Sequence, residues 1–163
     1  MFKYSLIRSF YLFSFVFFST AISANVIINN AMVGNSLHDF ATSTTGSYSG
    51  LLTLNGASYG EHFTGQTVTV VNDLDVITGI PDTQLNLVAN LNAADNIGLV
   101  SYQGNNAIFG DVAGMIGEGA LSVLFDIETD VLGFDIVGSN NGDFTVDFFA
   151  NDGSLLNSIT QSV

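Results

Sequence analysis

Carboxylates are the side chains in this sequence best placed to do chemistry. Asp126, Glu128 and Asp130 recur at every second position, as do Asp73 and Asp75. Alternate residues of an extended chain face one side, so each group converges on a point where one ion fits. Hard oxygen donors select Ca²⁺, which takes about 6–8 oxygens at roughly 2.3–2.6 Å. A loop of Asn140, Asn141 and Asp143 would add side-chain and carbonyl oxygens. The trio is not an EF-hand loop, because Val131 stands at the sixth position, where that loop requires Gly. Calcium is therefore the candidate cofactor, ranked behind a plainer alternative. In that alternative Asp73, Asp82, Asp95, Asp130 and Asp152 close turns through their own side chains, and the other acids form a solvated surface.

Aromatic side chains suggest a second chemistry. Tyr48, Tyr59 and Tyr102, with Phe63 and Phe109, are available to stack on sugar rings, so a polysaccharide or matrix component is the expected partner. The absence of Trp weakens that expectation. Catalysis has less support. Gly46-Ser47-Tyr48-Ser49-Gly50 has Tyr at the centre and is no nucleophile elbow. There is no Cys to act as a thiol nucleophile. His38 and His62 lack the close spacing of a metal motif. Glu61 and Glu118 form the best acid–base pair of a glycosidase, which needs roughly 5–9 Å between its carboxyl groups. A hydrolase is thus a third reading, and the protein is expected not to be an enzyme.

The charge balance narrows the partners further. The 163 residues include 15 Asp+Glu and 2 Lys+Arg, and both cations, Lys3 and Arg8, lie in the first ten residues. Nucleic-acid binding needs Lys and Arg to neutralise phosphates, and an anionic membrane surface attracts the same residues. Neither partner is expected. Lys3 and Arg8 precede an apolar run, Phe10-Tyr11-Leu12-Phe13-Ser14-Phe15-Val16-Phe17-Phe18, and then the small residues Ser19, Thr20, Ala21, Ser23 and Ala24. This order makes residues 1–24 a secretory signal peptide. Residues 25–163 are then expected to be one secreted domain, extracellular or at the cell surface. Lacking Cys, that domain must rely on its core or on bound ions.

The elements that position these groups read as strands. Thr67-Val68-Thr69-Val70-Val71 is β-branched throughout, and residues 85–91 alternate in polarity. Residues 97–102 and 107–109 flank Gly104-Asn105-Asn106 as a hairpin. Further strands are expected at 51–54, 120–125 and 131–137. Residues 143–150 and 154–160 flank Asn151-Asp152-Gly153, a strong hairpin signal. Residues 34–60 read as short edge strands and loops. Residues 113–121 carry a weak helical stripe, which Gly114, Gly117 and Gly119 argue against. The expected fold is all-β, an antiparallel β-sandwich of jelly-roll type.

Several segments carry a resemblance. Tyr59-Gly60-Glu61-His62-Phe63-Thr64-Gly65-Gln66-Thr67 and Gly117-Glu118-Gly119-Ala120-Leu121-Ser122-Val123-Leu124-Phe125-Asp126 are two of them. The third is Gly133-Phe134-Asp135-Ile136-Val137-Gly138, followed by Phe144-Thr145-Val146-Asp147-Phe148-Phe149 and Asp152-Gly153-Ser154. In order and spacing these resemble bacterial exosortase-sorted extracellular proteins of the PEP-CTERM type. That resemblance implies export and display at the cell surface or in the matrix, with a structural or adhesive role, and it supplies no catalytic residues. Such proteins end in a Pro-Glu-Pro motif, a membrane helix and a basic tail. This chain stops at Val163 without them, so a relative truncated at the C-terminus is expected.

Overall fold

A computed structural model describes residues 40–112, 115–129, 131–135 and 143–162. The expected signal peptide, His38, Asp130, Asn140 and Asn141 lie outside the described residues. The fold is all-β, and every strand pairing described is antiparallel. Strands β1 (Gly46–Tyr48), β6 (Ile97–Tyr102), β7 (Asn105–Val112) and β8 (Met115–Gly119) form one sheet in the order β1-β6-β7-β8. A second sheet has the order β2-β3-β9, from β2 (Leu52–Leu54), β3 (Ala57–Gly60) and β9 (Ser122–Phe125). Two ribbons complete the described strands, β4 (Thr67–Val71) with β5 (Leu74–Thr78) and β10 (Asp143–Phe149) with β11 (Leu155–Ser162).

One hydrophobic cluster joins the two larger sheets. Ala57 and Tyr59 of β3 and Ile97 of β6 are buried at its centre. Tyr48, Leu52, Leu54, Ile108, Val123 and Phe125 pack around them, and Phe40 meets the Tyr59 ring edge-on at 5.2 Å between centroids. Pairing explains the composition. Tyr48 opposes Ile97, and Leu99 opposes Ile108, so the four share one face of their sheet. Ile97 is wholly buried, which is worth roughly 1.5–3 kcal/mol of hydrophobic stabilisation.

The turns follow local chemistry. The β6–β7 hairpin turns at Gln103-Gly104, both at positive φ, so β7 begins at Asn105 and runs on to Val112. Asn72-Asp73, also at positive φ, closes β4 onto β5. In the β10–β11 turn Asp152 Oδ1 accepts bonds from the Ser154 amide (3.0 Å) and hydroxyl (2.6 Å). These bonds hold the fully exposed Asp152 carboxyl below its ordinary range, the hydroxyl contributing most.

Among the described residues, 85–91 and 131–135 do not form the strands expected there. Residues 85–91 run irregularly, with only Phe63–Leu87 as a β-bridge. Their amides and carbonyls serve several partners instead: Leu85 N–H bonds Asn151 O, Thr64 N–H bonds Asn86 O, Val88 N–H bonds His62 O, and Gly50 N–H bonds Asn90 O. Side-chain bonds from Asn86 to Gln84 O and from Asn90 to Asp95 O compete with a regular ladder. Residues 131–135 are also not a strand, and Val131 and Phe134 are exposed. Residues 136 and 137 lie outside the described residues.

Candidate functional site: a carboxylate and histidine cleft

β3 ends at Gly60, where a Cβ would stand 2.8 Å from Leu51 Cδ2 and 3.3 Å from Val88 O. The missing side chain lets residues 87–88 pass close by, and Val88 N–H bonds the His62 carbonyl at 2.9 Å. The next residue, Glu61, is only 5 % exposed. Its carbonyl accepts from Ser122 Oγ at 3.1 Å. Its Oε2 lies 2.9 Å from His62 Nδ1 and accepts from Asn90 Nδ2 at 3.2 Å. The same Asn90 amide nitrogen donates to Asp95 O at 2.5 Å, and Asn90 Oδ1 accepts from Asn92 N–H at 3.0 Å. A turn at residues 63–66 adds Gln66, whose Oε1 accepts from Phe63 N–H at 3.0 Å.

The opposite wall is the β4–β5 ribbon. Val70 opposes Asp75, so Val68, Val70 and Asp75 share a face. Asp75 Oδ2 accepts from Ala120 N–H at 3.0 Å, tying the ribbon to the chain entering β9, while its buried Oδ1 has no partner among the described residues. The resulting open cleft has a volume of about 340 Å³ and is lined by Glu61, His62, Gln66, Thr67, Val68, Val70, Asp75, Asn90 and Asp95.

Burial raises the Glu61 carboxyl above its ordinary range, against the Asn90 bond and the His62 charge, with Asp75 reinforcing the rise. Burial also raises Asp75, against the Ala120 bond, and Asp95 adds to it. Three carboxylates thus share one cleft with one imidazole. Glu61 and Asp75 are each easier to protonate than a solvated acid, because burial and a like charge coincide there. The walls present acceptors at the carboxylates, amides at Asn90 and Gln66, and a hydroxyl at Thr67. Such a surface hydrogen-bonds a neutral polar ligand.

The structure corrects several sequence expectations. Tyr59 is 4 % exposed and its hydroxyl is raised by burial, so its ring is core rather than a stacking platform. Tyr48 packs against the same core and donates its hydroxyl proton to Thr44 O. Tyr102 is exposed at the end of β6, where its hydroxyl accepts from Gln103 Nε2. The three rings form no common surface. Asp126 and Glu128 are exposed and follow β9 in a bend and loop, so strand alternation does not align them. Asp73 sits in the turn and is not among the residues lining the Asp75 cleft. Among the described residues no group of three His, Cys, Asp or Glu side chains is arranged to hold a metal ion. Glu118, on β8, does not line the cleft, so Asp75 rather than Glu118 stands with Glu61.

Asn90, Gln66 and Asp95 are cleft residues that sequence reasoning missed. The adjacent Glu61-His62 was the visible signal. Asn90 lies 29 positions from Glu61 and joins it only through the irregular 85–91 segment. Among the described residues no helix is long and apolar enough to cross a membrane. No protein family, curated protein or solved structure matches the chain.

Proposed function

We propose that this protein is an exported, non-enzymatic β-module of the cell surface or extracellular matrix, adhesive in role, that holds a neutral polysaccharide in the Glu61–Asn90–Asp75 cleft. The cleft carries the proposal: hydrogen-bonding side chains of both polarities line an open volume of about 340 Å³. Sugar hydroxyls donate to carboxylates and accept from amides, and neutral chains suit a protein with no Lys or Arg beyond Arg8. Export is supported by the order of residues in the first 24 and by the resemblance to exosortase-sorted proteins. A two-layer sandwich is the architecture proposed for the module, on the core shared by the β1-β6-β7-β8 and β2-β3-β9 sheets.

Affinity electrophoresis against a panel of neutral polysaccharides tests the reading. Retardation by at least one glycan, with Kd raised about tenfold or more by Asp95→Ala and unchanged by Tyr102→Ala, is the expected result. A blank panel, or retardation lost with Tyr102 and kept without Asp95, refutes it.

A hydrolytic reading has one observation in its favour. Glu61, raised by burial, shares the cleft with a second carboxylate, Asp75, as the acid and base of a glycosidase would. Turnover of any panel member, abolished in Glu61→Gln, would establish it in place of simple binding.

A further inference from the structure

The β1-β6-β7-β8 sheet holds a second polar group, remote from the cleft in its chemistry. Asp111, on β7, is 2 % exposed, and Asn96, just before β6, is wholly buried. The two are neighbours across the ladder: Ile97 pairs with Gly110, and the Asp111 N–H donates to the Asn96 carbonyl at 2.8 Å. Asn96 Nδ2 is fully engaged, donating to the carbonyls of Tyr48 (2.9 Å) and Gly50 (2.7 Å) on the edge-strand side. That fixes the amide, leaving Asn96 Oδ1 buried without a hydrogen-bond partner among the described residues. Asp111 Oδ2 accepts from Ser47 Oγ at 3.1 Å, but Asp111 Oδ1 is also buried without a partner among the described residues.

Both orphan atoms are acceptors, so neither satisfies the other. A buried polar atom without a partner costs about 1–3 kcal/mol, and a charged one more. An Arg or Lys commonly supplies the missing donors and the counter-charge. This chain has neither beyond Arg8. The geometry points to a cation held between β1, β6 and β7 by Asp111 Oδ1, Asn96 Oδ1 and the Ser47 hydroxyl, and the donor set selects Ca²⁺. Carboxylate, amide carbonyl and hydroxyl are hard oxygen donors, and Ca²⁺ accepts an irregular shell completed by backbone carbonyls and water. Ser47 is exposed on the edge strand, which gives the ion a route in. This site shares no residue with the sequence-expected groups at Asp73–Asp75 and Asp126–Asp130, and it stands or falls independently of the polysaccharide cleft.

Thermal melts of the full chain in EDTA and in millimolar Ca²⁺ test it. At about a hundredfold excess over Kd, Ca²⁺ raises the wild-type Tm by several degrees. Asp111→Asn removes the charge and supplies an amide donor for Asn96 Oδ1. It therefore loses the Ca²⁺ response while melting in EDTA at or above the wild type. A merely structural Asp111 would instead lower Tm equally in both buffers. Should Asp111→Asn fail to fold, Ser47→Ala serves: it removes a ligand from the exposed edge of the site and shrinks the Ca²⁺ increment. Superimposable wild-type melts overturn the proposal. So does a response that survives Asp111→Asn, a response abolished by Asp75→Asn, or a Ser47→Ala increment as large as the wild type's.

Discussion

Replacing Asn90 by Ala removes the link between the irregular 85–91 segment and Glu61. Three bonds go: Nδ2 to Glu61 Oε2 at 3.2 Å, Nδ2 to Asp95 O at 2.5 Å, and Oδ1 from Asn92 N–H at 3.0 Å. A bond to a charged partner contributes about 1.5–3 kcal/mol and a neutral one about 1 kcal/mol. Asn90 is half-buried, so water recovers part of each loss. The expected cost is about 2–3 kcal/mol at neutral pH, or a Tm lower by roughly 5–10 °C. The cost also depends on pH. The Asn90 bond favours the charged form of Glu61, so its removal raises that carboxyl further. In acid the carboxyl is neutral in both proteins, and the charge-assisted part of the loss disappears. Urea unfolding followed by tyrosine fluorescence and far-ultraviolet circular dichroism, at pH 7 and pH 4, gives the two values. A loss at pH 4 smaller by about 1 kcal/mol is expected. Equal losses at the two pH values, or none at either, would refute the role given to this amide.

Two further outcomes follow from the same geometry. Glu61 and Asp75 are raised in the folded state, so their contribution to stability is fully present below the ordinary carboxylate range and is lost as pH rises through their folded values. Glu61→Gln removes one of these groups, and a plot of unfolding free energy against pH should be flatter for the variant; parallel curves would show that Glu61 titrates as it does in the unfolded chain. A Cβ at Gly110 would lie 2.2 Å from Gly119 O, so Gly110→Ala should part β7 from β8 and cost more than about 3 kcal/mol, read as loss of the cooperative melt. A melt within about 2 °C of wild type would mean that the two strands separate without penalty.

Local chemistry made much of the fold legible. β4 spans the expected Thr67–Val71, because β-branched residues suit a half-buried pleated surface. β6 spans the expected Ile97–Tyr102, and Asn-Asp-Gly marks the β10–β11 turn. The partner of β4 was missed, since Leu74–Thr78 has exposed Leu74 and Val76 and its alternation is set by Asp75 turning inward. Residues 85–91 showed a strand-like pattern whose pairing was pre-empted by asparagine bonds, a competition that polarity alone does not reveal. The cleft was half-readable. Glu61-His62 is contiguous, while Asn90, Asp95 and Asp75 arrive from three other segments. The Asp111–Asn96 pair was invisible for a related reason, since only the β6–β7 register brings the two together.

The β10–β11 ribbon would behave in a particular way under load. Asp143 and Ser162 stand opposite one another at the same end, and the turn at Asn151-Asp152-Gly153 lies at the other. Tension drawn through residue 162 against the body of the protein therefore opens the ribbon like a zipper, one rung at a time, rather than shearing all rungs together. The turn end is anchored by Phe149 edge-on to Phe63 at 6.0 Å and by the Leu85 amide on Asn151. A pull from that side would lengthen the chain at low force before it reached Phe63 and the cleft behind it. The ribbon would thus extend first and leave the Glu61–Asn90–Asp75 cleft undisturbed.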